Sequence, residues 1–175
     1  MHKLGPISVG GSNPVRIMGI LNASPESFYK KSVKTSRESI ISAIKSMEKE
    51  GVDIIDVGAM STAPYLSTLV SEKVEVERIK NTLEIIQSVS NTPISVDTCR
   101  ASVAKTALDM GIQIINDISG LKYDKEMKNI VSKYSPSMIL CAFSTKSVSG
   151  NHIDVTKKLL KESIDLARNY GIPKN

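Results

Sequence analysis

The chain has 175 residues and a formal charge of +5, and its 41% hydrophobic content is enough for one buried core, with no repeat or composition shift to divide it. Its lysines are dispersed, and two Phe, five Tyr and no Trp leave no basic run interleaved with aromatics, so a nucleic-acid partner is not expected. No stretch approaches the roughly 20 apolar residues of a membrane span, and residues 1–11 lack a charged start followed by an apolar segment, so no membrane association and a cytoplasmic location are expected.

A first strand is predicted near 15–22, where Ile17-Met18-Gly19-Ile20-Leu21 ends on Asn22. A helix near 36–50 follows, with Ile40, Ile44 and Met47 on one stripe, a capping box in Thr35-x-x-Glu38, and Gly51 at the left-handed position after its end. The second strand, near 52–58, runs through Ile54-Ile55-Asp56-Val57 to Gly58, with Ser61-Thr62 beyond it, and the helix near 71–90 carries the stripe Ile79, Leu83, Ile86. A third strand near 93–98 ends its run Ile94-Ser95-Val96 on Asp97-Thr98 and leads to a helix near 100–110 closed by Gly111. The fourth, near 112–117, ends on Asn116-Asp117 before a helix near 124–134. A fifth strand near 137–142 precedes a helix near 153–170, with Leu160, Ile164 and Ala167 as its buried stripe and Gly171 after it.

Strands that are continuously apolar rather than alternating suit a parallel sheet covered on both faces, so the fold class is α/β with five β/α units. Right-handed crossovers then give either part of a β/α barrel or an open doubly wound sheet. Parallel strands share a direction, so the polar ends Asn22, Ser61-Thr62, Asp97-Thr98 and Asn116-Asp117 gather on one rim, where α/β folds build their sites. Cys99 and Cys141 are too few for a disulfide scaffold or a zinc cluster and read as buried free thiols; His2 and His152 lack ligand spacing. Any metal must therefore be held by oxygen, and no Ser-His-Asp or Cys-His nucleophile can be assembled.

The segment Met18-Gly19-Ile20-Leu21-Asn22-Ala23-Ser24-Pro25-Glu26-Ser27-Phe28 is far more specific. It closely resembles the first signature of the dihydropteroate synthases, M-G-I-x-N-x-T-P-D-S-F. Three further signatures resemble this chain in the same order: Asp53-Ile54-Ile55-Asp56-Val57-Gly58 with Ser61-Thr62, Ile94-Ser95-Val96-Asp97-Thr98, and Ile115-Asn116-Asp117-Ile118. The resemblance implies a pterin-binding TIM barrel. It also implies transfer of a pterin from 6-hydroxymethyl-7,8-dihydropterin pyrophosphate to p-aminobenzoate or a related aryl amine, with pyrophosphate released and Mg2+ as cofactor. No catalytic protein nucleophile is implied.

Carried over residue by residue, Asn22 resembles the family asparagine at the magnesium and pyrophosphate site, and Thr62 the threonine that meets the pyrophosphate end of the substrate. Asp97 and Asn116 resemble the partners of the pterin edge. Taken alone, each would be an ordinary turn or strand-end cap, and Asp56 and Asp117 are read as caps of that kind.

The departures are as informative. Tyr29-Lys30-Lys31 stands where the family has Asp-Gly-Gly after Ser-Phe, and Met60-Ser61-Thr62-Ala63-Pro64-Tyr65 where it has E-S-T-R-P-G. Ala63 thus replaces a phosphate-facing arginine, with Lys30, Lys31 and Arg100 as candidate substitutes, and Cys141-Ala142-Phe143-Ser144 alters the pocket wall at the fifth strand. A full eight-unit barrel takes about 250 residues, so residues 1–175 are expected to be a pterin-binding domain lacking its C-terminal units, an incomplete barrel of five units from eight. A fragment, a natural truncation and a half completed by another chain would each explain this, which puts a homodimer among the expected partners. The short form is expected to lack turnover as an isolated monomer. The alternative function is a catalytically weak or inactive pterin-binding module, related to methyl-pterin-binding methyltransferase domains. An open flavodoxin-like domain would need a phosphate-binding glycine loop after the first strand, and the sequence has none.

Overall fold

The computed structural model describes residues 2–24, 36–60, 70–144 and 149–172. The chain opens with an antiparallel hairpin, β1 (His2–Leu4) and β2 (Ile7–Val9). Then β3 (Met18–Asn22), α1 (Arg37–Lys49), β4 (Ile54–Gly58), α2 (Glu72–Gln87), β5 (Ile94–Asp97), α3 (Ala101–Asp109), β6 (Ile114–Asp117), α4 (Met127–Tyr134), β7 (Ser137–Leu140) and α5 (His152–Asn169) alternate strand and helix. The five later strands form one parallel sheet in the order β3-β4-β5-β6-β7, so each crossover places its strand beside the last. This consecutive order is that of a TIM barrel, of which the described residues supply five β/α units, and it rules out the doubly wound alternative.

The two faces of the sheet differ. Leu21, Ile55, Val57, Val96 and Ile115 point outward to α1 through α4, where Ile40, Ile44, Ile79, Leu83, Ile86 and Val131 meet them in a core almost wholly closed to solvent. The opposite face carries Met18, Ile20, Asn22, Ile54, Asp56, Ser95, Asp97, Ile114 and Asn116. Burial on both faces was expected; at β3 the inner face is open, with Ile20 57% exposed. The edges of the sheet are β3 and β7.

The hairpin has no sequence signal, because three-residue strands are too short to show a period. It lies against the amino ends of β6 and β7, where the Gly5 amide donates to Ser137 Oγ at 2.8 Å. The helix starts need a correction. Thr35 is outside the described residues, and α1 is capped by Ser36, whose Oγ accepts from the Ser39 amide while Ser39 Oγ accepts from the Ser36 amide, both at 3.2 Å. Glu38 instead lies in the first turn, where the helix dipole favours it. Gly51, Gly111 and Gly171 all take the left-handed conformation expected of them.

The predicted stripe of α5 also shifts. Leu160 and Ile164 are each 37% exposed, whereas Ser163 and Ala167 are buried. The cause is close approach: a Cβ on Gly120 would stand 2.1 Å from Ser163 Oγ and 2.7 Å from the Cys141 carbonyl, so only small residues fit that contact. Ser163 Oγ donates to the carbonyls of Cys141 and Leu159. Of the two thiols, Cys99 is buried as expected, but Cys141 is exposed on the loop after β7. No helix among the described residues is long and apolar enough to cross a membrane.

Candidate functional site at the carboxyl rim

Strand register builds the site. Asn22 pairs with Gly58, Gly58 with Asp97 and Asp97 with Asn116, so one row of inner-face positions crosses four adjacent strands at their carboxyl ends. The next row down holds Ile20, Asp56, Ser95 and Ile114. Glycine at 58 keeps the row open: a Cβ there would stand 3.3 Å from Asn22 Oδ1 and 3.8 Å from Asp97 Oδ2. Three of the four residues expected at the site are thus brought together. The fourth, Thr62, lies outside the described residues, as do Ser61, Ala63, Lys30 and Lys31.

The two rows are linked by one hydrogen bond, from Asn116 Nδ2 to Asp56 Oδ2 at 3.0 Å. Around it, Asp56 Oδ1, Ser95 Oγ and Asp97 Oδ1 are buried with no hydrogen-bond partner among the described residues. Burying a polar atom unpaired costs roughly 1–3 kcal/mol, so three in one pocket mark a place where a ligand or water supplies the missing partners.

The same burial raises the pKa of the carboxyl groups. Asp97 is pushed up to about 7, first by desolvation and then by the negative charges of Asp56, Asp117 and Glu75. Asp56 also rises through burial, opposed by the Ser95 hydroxyl and the Asn116 amide; Ser95 is near enough to favour its charge, though not in hydrogen-bonding geometry. Perturbed carboxylates in a cleft are a mark of a functional site.

Asp56 therefore corrects the sequence reading. It is no strand-end cap but faces the pocket two residues below Gly58, as Ser95 does below Asp97. That signal was available: a polar residue at i−2 from a site position, inside an apolar strand, shares its face. Asp117 is a cap, as expected. It is turned to the helix side, and its carboxylate accepts from the Ser119 amide and hydroxyl and from the Leu121 amide.

Arg100, suggested in place of the missing arginine, is engaged within the protein. Its Nη1 donates to Glu75 Oε2 at 2.7 Å and to the Val70 carbonyl at 2.9 Å, while Thr98 Oγ1 donates to Glu75 Oε1. Cys99 is buried beside this network and its thiol is pushed up to about 12, first by desolvation, which leaves it unreactive. A cavity of about 660 Å³ between Glu48 and residues 87–92 is at the far end of the sheet and is wide open to solvent, so volume does not mark the site here.

Asn22 fits a magnesium site in kind. Its amide oxygen is a hard donor beside the open position at Gly58, and magnesium takes few protein ligands when phosphate and water supply the rest. Among the described residues no cluster of three or more His, Cys, Asp or Glu side chains could hold a metal by itself.

Comparison with known proteins agrees with the fold. The chain is 35% identical over 170 residues to a dihydropteroate synthase of Clostridium beijerinckii, an alignment covering 97% of this chain and 63% of that protein. It is 36% identical over 170 residues to the Bacillus subtilis dihydropteroate synthase, covering 95% and 58%. The structure of a Coxiella burnetii dihydropteroate synthase in complex with pteroic acid superposes with a TM-score of 0.81 at 31% identity, covering 94% of this chain and 59% of that one. The chain spans about three fifths of the length of these curated relatives. A family model described as pterin binding enzyme matches residues 18–175, and the chain belongs to that family.

Proposed function

We propose that residues 1–175 form a pterin-binding domain that acts, in the cytoplasm, in dihydropteroate synthesis, joining p-aminobenzoate or a related aryl amine to 6-hydroxymethyl-7,8-dihydropterin pyrophosphate. The observation that carries this reading is the row of Asn22, Asp97 and Asn116 at the carboxyl ends of β3, β5 and β6, beside unpartnered buried oxygens. A pterin is a flat heterocycle with N–H donors along one edge. Asp97 and Asn116 offer that edge acceptors, and the open position at Gly58 admits the ring.

Asn22 and Thr62 hold the pyrophosphate end, Asn22 as the magnesium ligand. Bound magnesium supplies positive charge to the leaving pyrophosphate. The amine attacks the methylene carbon, the carbon–oxygen bond breaks, and the amine loses a proton. The protein's contribution is to align the two substrates and exclude competing water, for which no protein nucleophile is needed.

A second reading, a pterin-binding module with weak transfer, is favoured by Ala63 and by the commitment of Arg100 Nη1 to Glu75 and Val70. A lost guanidinium contact to phosphate weakens the grip by about 1.5–3 kcal/mol. Labelled p-aminobenzoate incorporation, measured with magnesium at rising chain concentration, separates the readings. Product formation supports the synthase, pterin binding without product supports the module, and absence of both contradicts each.

A further inference from the structure

We infer that Asp56 is a positioning residue that fixes which way the Asn116 amide faces, and so makes the pocket selective for ligand edges that present hydrogen-bond donors. The inference rests on the proposed pterin site and deepens it by adding a determinant of specificity.

An ionised carboxylate can only accept, and an amide has one end of each kind. Asn116 meets Asp56 through Nδ2, 3.0 Å from Oδ2. The reverse orientation would set a carbonyl oxygen against a carboxylate, with both acceptors buried. Asp56 is 5% exposed, so bulk solvent relieves little of that clash. The Asn116 Oδ1 must therefore turn away from Asp56, beside Asp97, its register partner on β5. With Asp97 Oδ1 unpartnered, the rim presents two acceptors side by side once Asp97 is ionised, above about pH 7. A pterin, with an amino group at position 2 and an N–H at position 3, matches them. A lumazine, with a carbonyl at position 2, sets an acceptor against an acceptor.

The strand positions make Asp56 suited to this role. It lies one row below the rim, on the inner face of β4, while Asn116 reaches down to it from β6 across β5. Between them on β5 is Ser95, whose Oγ makes no hydrogen bond among the described residues, so it does not compete for the amide.

The test uses the full chain with 6-hydroxymethylpterin and 6-hydroxymethyllumazine as titrants. Wild type is expected to prefer the pterin. Asp56→Asn, which is isosteric but can accept as well as donate, frees the Asn116 amide to turn and is expected to lower the pterin-to-lumazine preference about tenfold. The exchange variant Asp56→Asn with Asn116→Asp restores an amide–carboxylate pair with an acceptor still at the rim, and should recover the preference. A general structural defect would weaken both ligands equally and would not be rescued by exchange. A ligand-free readout stands beside these: the Asn116 side-chain amide protons, followed by NMR, should shift and exchange faster in Asp56→Asn. Unchanged amide signals, or an unchanged preference in a variant that binds, overturn the positioning role. Failure of wild type to bind either ligand contradicts the pterin site instead, while the amide signals still decide the Asp56–Asn116 contact.

Discussion

At Asp97 the folded chain works against ionisation. Its constant lies near 7, above the ordinary carboxylate value, so folding favours the protonated form. The associated stability is present at low pH and is lost as pH rises from about 4 through 7. Asp97→Asn, which cannot ionise, is expected to be more stable than wild type at pH 8, by on the order of 2–4 kcal/mol, and little different at pH 4. Urea denaturation at the two pH values checks this. A donor-rich ligand favours the carboxylate, so binding in the absence of metal should release a proton near pH 6.5, measurable by calorimetry in buffers of different ionisation heat.

The two cysteines give a separate residue-scale expectation. Cys99 is buried with its thiol near 12, whereas Cys141 is exposed. Iodoacetamide at pH 8 should therefore label Cys141 and spare Cys99, as read by peptide mass spectrometry. Equal labelling would mean that the rim around Cys99 opens.

At the scale of elements, packing at Gly120 decides how α5 sits. Gly120 has φ +61 and no room for a Cβ against Ser163 and the Cys141 carbonyl. Gly120→Ala should cost about 2 kcal/mol or more, combining backbone strain with displacement of α5, and chemical denaturation would show it. The same contact explains where sequence reading stopped. The stripes of α1 and α2 were legible because Ile40, Ile44, Ile79, Leu83 and Ile86 face a continuous apolar sheet. In α5 the large residues Leu160 and Ile164 have the right spacing, yet Ser163 takes the buried place because a backbone-to-backbone approach excludes bulk. Periodicity reports burial and is blind to such an approach. Capping was legible in kind, with the box formed one residue later than expected, since Ser36 and Ser39 satisfy each other's amides as Thr35 and Glu38 would have done one residue earlier.

At the scale of the whole molecule, sheet order turned five separate strand ends into a rim. Asn22, Asp97 and Asn116 were readable as candidates because each ends an apolar run. Asp56 was signalled only by its place two residues before Gly58, and its pairing with Asn116 was not readable, because it depends on facing Asn116 across β5, a relation between strands sixty residues apart in sequence. The open inner face has its own consequence. With β3 at an edge and Met18 and Ile20 exposed, the chain is expected to associate at high concentration. Ile20→Lys should reduce that association in sedimentation velocity, and an unchanged sedimentation profile would place the contact elsewhere.

Calorimetric titration with 6-hydroxymethylpterin decides whether the carboxyl rim of β3 to β6 is a pterin site. Asp109, which ends α3 and pairs with Lys105 on the surface, serves as the control carboxylate. The account predicts that wild type and Asp109→Ala bind alike, and that Asp97→Ala binds at least tenfold more weakly. Equal affinity in all three chains would contradict it.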